Sequence, residues 1–278
     1  MSGTRLLQLP QRRAARAGVS TPWGLAILVG ITVALVLVPA YVPHGVAQVI
    51  GQPLGGPGSG HIFGLDDQGR DVFSRVLWGM RSSWFAALAL IASGIVIGAV
   101  VGVTAGMGPR WLDELLMRVT DVFFSLPGPL IALAIVAAIG VGLWHTVIAL
   151  SVIWWPYYAR IFRGISHSLM ARPFIEAARL GGIGNLRLAF RHVLPGTRGP
   201  ILVAASFDMG TVLLTLTGLS FLGLGSAPPS AELGAMTAQG LPYLFTQWWV
   251  PVWPGIAVFL LAFASNVSGD SIRDHLER

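Results

Sequence analysis

The chain has 278 residues, 54% hydrophobic and 11% charged, with a mean hydropathy of +0.71. Soluble domains carry roughly 25% charged residues, so the composition excludes a surface covered by water and points to a bilayer. The formal charge is +6, all 18 basic residues are arginines, and cysteine is absent. These absences exclude a P-loop lysine, a lysine nucleophile, disulfides and thiolate metal sites; any ATP hydrolysis belongs to another chain.

A membrane-spanning helix takes about 20 apolar residues. Residues 1–20 read as a cytoplasmic tail bearing Arg5, Arg12, Arg13 and Arg16. Residues 21–42 hold the first span, an apolar run from Trp23 to Pro39 introduced by Ser20, Thr21 and Pro22. A cleaved signal peptide competes for this segment, with Gly45-Val46-Ala47 as a poor cleavage site; the length of the run favours a retained anchor.

Residues 43–82 form an extracytoplasmic loop whose Gly/Pro-rich portion, 52–60, is expected to be irregular. From Asp71 onward, Val72, Phe73, Val76 and Leu77 share one helical face and Arg70, Ser74, Arg75 and Arg81 the other. That pattern predicts an amphipathic helix on the outer membrane surface.

Residues 83–267 make a five-helix core with spans at about Ser83 to Met107, Leu115 to Ile139, Thr146 to Phe162, Pro200 to Phe221 and Val250 to Asn266, six in all with the first. Within the second span, Gly94, Gly98, Gly102 and Gly106 form a small-residue ridge, the packing device of helices in lipid. The loop 159–198 contains Pro173 to Leu180, glycines at 181, 182 and 184, and then Asn185 to Pro195. This spells helix, break, helix, with Asn185 as a cap and Pro195 as a stop. Two short helices projecting from a membrane domain suit docking into a partner's groove. The loop 225–249 ends at Trp248 and Trp249, expected at the interface, and 268–278 is a C-terminal tail.

Alternating the spans leaves three arginines outside, Arg70, Arg75 and Arg81, and the other fifteen inside. Positive-inside bias therefore puts both termini in the cytoplasm. The arginines follow loop sidedness, which excludes a nucleic-acid footprint.

Asp208 is the one acid deep within a predicted span. A charge there costs roughly 2.5 to 3.5 kcal/mol on insertion scales, so it faces a cavity or a partner. Two roles stand open: contact with a peptide's amino group along a pathway, or a structural hydrogen bond to a neighbouring helix. Arg118 and Asp121, three residues apart, are positioned to pair. The six histidines show no metal-ligand spacing, and no Gly-x-Ser-x-Gly or His-Glu-x-x-His motif occurs, so neither a metal site nor catalysis in this chain is expected.

The loop 159–198 resembles the EAA motif of ABC-importer permeases: Glu176-Ala177-Ala178, then Gly182, then Leu194-Pro195 after eleven intervening residues. Asp66 to Arg75, Met117 to Asp121 with Pro127, Leu219 to Gly225 with Pro228-Pro229, and Gly269 to Asp274 narrow the likeness. Together they resemble the C-type permease subunit of dipeptide/oligopeptide (peptide/nickel) ABC importers, from Trp23 to the C-terminus. The resemblance implies an all-α type I ABC importer permease fold in the cytoplasmic membrane. It also implies a second homologous permease subunit, two ATP-binding subunits holding ATP and Mg, an extracytoplasmic peptide-binding protein and a peptide substrate. No cofactor is expected in this chain, and its environment is membrane lipid, not nucleic acid. Glu176, Ala177, Ala178, Gly182, Leu194 and Pro195 would form the ATPase-coupling element, with Glu176 orienting the turn through hydrogen bonds or by pairing Arg172 or Arg179, and Gly182 allowing a tight approach.

Three positions depart from the family pattern: Leu65, Leu216 and Leu233 replace a usual threonine, glutamate and tryptophan. The last two are expected near the outer face, where they would alter contacts with the binding protein or the substrate entrance. Competing functions are transport of nickel or another small solute, a stand-alone secondary carrier, and an intramembrane hydrolase, which Asp208 alone cannot support.

Overall fold

The computed structural model describes residues 23–58 and 60–276. The tail arginines Arg5, Arg12, Arg13 and Arg16, and Arg278, lie outside the described residues. Among those described the chain is helical, with only isolated antiparallel bridges, such as Val49–Arg70 and Leu65–Asp71, in the loop before the longest helix.

One apolar run folds as α1 (Trp23–Val36) and α2 (Val38–Tyr41), interrupted at Leu37, where Pro39 follows. α1 packs along the end of the last helix: Gly24 lies against the Ser268 carbonyl, and its N–H donates to Ser271 Oγ at 3.2 Å.

α3 (Val72–Met107) is a single helix of 36 residues, about 54 Å at 1.5 Å per residue. It opens on Asp71, whose Oδ2 accepts a hydrogen bond from the Ser74 N–H at 2.9 Å, a standard N-cap. This corrects the expectation of a separate helix lying on the outer surface. The polar face of its first turns meets protein, because the preceding loop folds back and gives Arg75 a carboxylate and carbonyls to bind.

The apolar stretch expected as one span at 115–139 is a bent pair: α4 (Arg110–Ser125) and α5 (Gly128–Ile139) meet at 86°. Pro127 caps α5 and Pro129 follows in its first turn, so neither proline breaks an intrahelical bond there, and the chain turns instead of continuing.

α6 (Leu143–Met170) runs parallel to α3. The glycine ridge is the seam: a Cβ on Gly98 would stand 2.5 Å from Tyr158 Cβ, and one on Gly106 2.5 Å from Ser166 Cβ. Gly94 and Gly102 meet Tyr158 and Phe162 in the same way. Without side chains in between, the two backbones approach closely enough for dispersion to hold them, the attraction available to helices in lipid. The ridge is thus filled from within the chain.

After α6 come α7 (Pro173–Leu180) and a short α8 (Asn185–Leu188). α8 does not stop at Pro195. It passes through a π-turn, Ala189–Val193, into α9 (Leu194–Leu219), and the helical course extends from Asn185 to Leu224. The wide turn absorbs the i−4 bond that a proline cannot make. Asn185 is the first helical residue, and the cap position belongs to Gly184. α10 (Leu233–Gly240) and α11 (Trp249–Leu276) complete the chain.

Val72–Met107, Asn185–Leu224 and Trp249–His275 are long and apolar enough to cross a bilayer, and the bent pair makes a fourth if counted as one crossing. α6, at 28 residues, lies beside α3, and the α1–α2 run beside α11. The loop before α3, the segment 225–248 and the start of α11 gather at one end of the bundle, the cap end. α7 and its turn stand at the other.

Candidate functional site

At the turn end, α7 starts with Pro173 in its first turn and buries Ile175 completely. It closes with Gly181 N–H on the Ala177 carbonyl at 3.0 Å, Gly182 N–H on Arg179 at 2.9 Å and Ile183 N–H on Ala178 at 3.1 Å. Gly182 has φ +80°, and a Cβ there would meet nothing within 4 Å. Glycine is therefore needed for the left-handed backbone, and no part of this chain approaches it closely; an L-residue would cost roughly 1–2 kcal/mol there. Around this turn Phe174, Leu180, Leu186 and Phe190 are exposed, Leu180 by 86% and Leu186 by 75%.

Glu176 is exposed and forms no ion pair among the described residues, so the pairing expected with Arg172 or Arg179 is not made. Ala177 is exposed and Ala178 half-buried beside it. Leu194 and Pro195 sit apart, half-buried where α9 enters the bundle, next to the contact of Gly196 with Leu169. The six motif residues therefore divide between an exposed turn and a buried helix entry.

Two carboxylates tie α4 to α6 near this end. Asp113 accepts Arg163 Nε at 2.5 Å and Nη2 at 2.7 Å, with His167 Nε2 at 3.2 Å. Asp121 accepts Arg160 Nη2 at 2.6 Å, and the Arg160 guanidinium lies 4.0 Å from the centre of the Phe124 ring. Arg118, expected to pair with Asp121, is exposed with no ion pair among the described residues: the interhelical partner reaches Asp121 and the same-helix one does not.

The break between α4 and α5 opens a cavity of about 440 Å³ against α6 and α9. Its walls include Phe123, Phe124, Trp154, Tyr157, Phe207 and Asp208. Asp208 Oδ2 accepts Trp154 Nε1 at 2.7 Å and Tyr158 OH at 2.8 Å. The structural hydrogen bonds expected of Asp208 are thus present. Neither donor had a sequence signal; both are fifty or more residues away, and the seam of α3 on α6 fixes Tyr158.

At the cap end, Asp66 organises two arginines that were expected to face water. Arg70 and Arg75 are each 2% exposed. Asp66 Oδ2 lies 2.7 Å from Arg70 Nε and 3.3 Å from Arg75 Nε, and Oδ1 accepts the Gln68 and Arg70 N–H groups at 2.9 Å. Arg75 also donates to the Val46 carbonyl at 2.7 Å and the Pro229 carbonyl at 3.0 Å, joining the loop to segment 225–232. Buried Glu232 accepts from Ser220 Oγ and from the Ser226 N–H, the latter at 2.7 Å, and so closes the Leu219-to-Gly225 block. Leu65, Leu216 and Leu233 are all buried; they fill core space and present no altered outer contact.

A bundle of apolar helices of spanning length with an exposed apolar turn at one end is a membrane-embedded architecture. The family described as "Binding-protein-dependent transport system inner membrane component" matches residues 94–278, and the chain belongs to it. A glutathione transport system permease from Pectobacterium atrosepticum is 40% identical over 222 residues, 80% of this chain and 74% of that protein. A probable D,D-dipeptide permease from Escherichia coli K12 is 37% identical over 80% of this chain and 74% of its own length. A di/tripeptide permease from Pseudomonas aeruginosa is 38% identical over 78% and 71%. Among solved structures, the MetNI methionine ABC transporter, inward facing, superposes with a TM-score of 0.53 at 22% identity, covering 73% of this chain and 97% of that one. The chain is a multi-pass inner-membrane permease component of an ABC transporter with the type I importer fold.

Proposed function

We propose that the chain forms one half of a peptide-translocation pathway in a di-/oligopeptide ABC importer. It pairs with a homologous permease subunit, receives peptide from an extracytoplasmic binding protein and is driven by two ATP-binding subunits. The observation that carries this reading is the exposed apolar turn. Phe174, Leu180, Leu186 and Phe190 surround a glycine-dependent bend that follows α6, each at least 49% exposed. An exposed cluster of this kind marks a protein interface. Glu176, Ala177, Ala178 and Gly182 form its docking turn, and Leu194 with Pro195 anchors it to α9. In this orientation the turn and both termini face the cytoplasm, and the cap end faces outward, as the arginine distribution requires.

The peptide class rests on the relatives' own substrates, which their names give as glutathione, D,D-dipeptides and di/tripeptides. The hydrolase reading has no support at Asp208, whose hydrogen-bond partners are an indole and a phenol. The test is reconstitution in proteoliposomes. The four-subunit complex with its binding protein is expected to accumulate a labelled dipeptide only with ATP, and this chain alone to accumulate none. Uptake by this chain alone, or ATP-driven uptake of other solutes with none of any di- or oligopeptide, overturns the reading.

A further inference from the structure

We infer that Asp208, held by Trp154 and Tyr158, is a binding subsite for a substrate's ammonium group within the membrane, an inference that rests on the peptide-permease reading. Both structural donors converge on Oδ2, whereas Oδ1 accepts no hydrogen bond among the described residues and its residue lines the cavity. A carboxylate carries about four acceptor positions, so the two helix-borne donors orient it and leave one oxygen for a ligand. Asp208 is only 9% exposed and pairs with no cationic side chain among the described residues. Two arginines lie over aromatic wall residues, Arg160 4.0 Å from the centre of the Phe124 ring and Arg273 5.7 Å from that of Phe207, but neither lines the cavity. Arg160 is committed to Asp121, and Arg273 lies 3.6 Å from Asp270.

The remaining walls fit the same ligand chemistry. Phe123, Trp154 and Tyr157 line the cavity with the carboxylate, and an aromatic face attracts an ammonium within about 6 Å of its ring centre. A cavity of about 440 Å³ falls in the range of small-molecule sites, roughly 300–1,000 Å³. A cation reaching mid-membrane needs a counter-charge to offset lost hydration, and Asp208 supplies one in the only span-buried carboxylate of α9. Trp154 and Tyr158 are positioning residues; Asp208 makes the contact. The subsite selects the peptide's α-ammonium and is indifferent to its side chains.

The experiment is equilibrium binding to the purified permease–ATPase complex without its binding protein, so that the latter's selectivity does not enter. The probes are dialanine and N-acetyl-dialanine. Dialanine is expected to bind at least about tenfold more tightly than the acetylated peptide, the order of one charge-assisted hydrogen bond. D208N is expected to remove that difference by weakening dialanine alone, D208E to keep most of it, and Y158F to reduce it partly. Equal binding of the two peptides by the wild type, no saturable binding of dialanine, or an undiminished preference in D208N each overturns the inference. The wild-type comparison needs no variant to fold. Peptide uptake by the complete system is measured in parallel: uptake with no ammonium preference sinks this subsite alone, whereas no peptide uptake sinks the permease reading.

Discussion

Arg75 Nε lies 3.3 Å from Asp66 Oδ2, with both side chains buried beneath the cap. The carboxylate also serves Arg70, which Asp67 Oδ1 approaches at 3.8 Å as well, so Asp66 is the acid that the two guanidinium groups share. Breaking a buried pair from one side is worth about 3–5 kcal/mol, because it strands the remaining charge. Asp66→Asn is therefore expected to lower the melting temperature of the purified complex markedly and to loosen loop 43–71, seen as faster proteolysis there. Arg75→Leu, which removes a charge instead of stranding one, is expected to be milder. An Asp66→Asn protein that melts like the wild type would refute the compensation.

The α3–α6 seam makes a steric prediction. Gly98 and Gly106 sit where a single added Cβ meets heavy atoms at 2.5 Å, so Gly98→Leu forces the helices apart. Overpacking typically costs about 1–3 kcal/mol; here backbone movement puts the effect at the upper end or beyond. Gly164, whose Cβ would meet nothing within 4 Å, is the control: Gly164→Ala is expected to leave stability unchanged. Thermal denaturation of both variants decides the matter.

The requirement at Gly182 is conformational, which fixes the order of its variants. Asparagine visits the left-handed region more readily than β-branched residues. Gly182→Asn should retain more substrate-stimulated ATPase activity than Gly182→Val and strain the turn less. If crowding governed this site instead, the smaller Gly182→Ala would beat Gly182→Asn.

Exposure at the turn separates docking from folding. Leu186→Ser removes apolar surface that is 75% exposed, and Phe174→Ser a ring whose aromatic neighbour is His192 at 6.1 Å, so the variants are expected to fold normally yet retain less ATP-binding subunit on co-purification. Loss of stability in the isolated subunit would show that these side chains serve the fold.

The Asp121–Arg160 pair is solvent-exposed on both sides. Such pairs contribute about 0–1 kcal/mol. Arg160→Gln is accordingly expected to shift stability little, while changing the packing of Phe124 at the cavity wall, readable as altered peptide affinity. A large drop in melting temperature on this substitution would contradict the assignment.

Several of these relationships were legible in the residues and others were not, for physical reasons. The charge deficit and apolar runs announced a membrane bundle, the glycine ridge announced a close seam, and the Glu176-to-Gly182 stretch announced a turn. Arg75 looked solvent-facing because its partner Asp66 precedes the helix and approaches only when the loop folds back. The α4–α5 bend was written in Pro127-Gly128-Pro129, but apolar residues on both sides masked it, since hydropathy counts side chains and ignores missing N–H groups. Pro195 misled in the other direction: a π-turn, which has no composition signal, carries the helix past it. Trp154 and Tyr158 could not be matched to Asp208 from the sequence, because their proximity depends on the packing of α6 against α9.

α3 bears the cap on its first turn and grips α6 through its second half, while α6 ends at the docking turn. Because glycine contacts leave no side-chain layer to slide, the two parallel helices behave as one rod about 54 Å long. The same pair supports the Asp208 cavity, because Tyr158 packs on Gly94 and Gly98 of α3 and donates to Asp208, while Trp154 and Tyr157 line the wall. A side chain added at Gly94 or Gly98 would therefore reach the cavity through Tyr158, although neither glycine lines it.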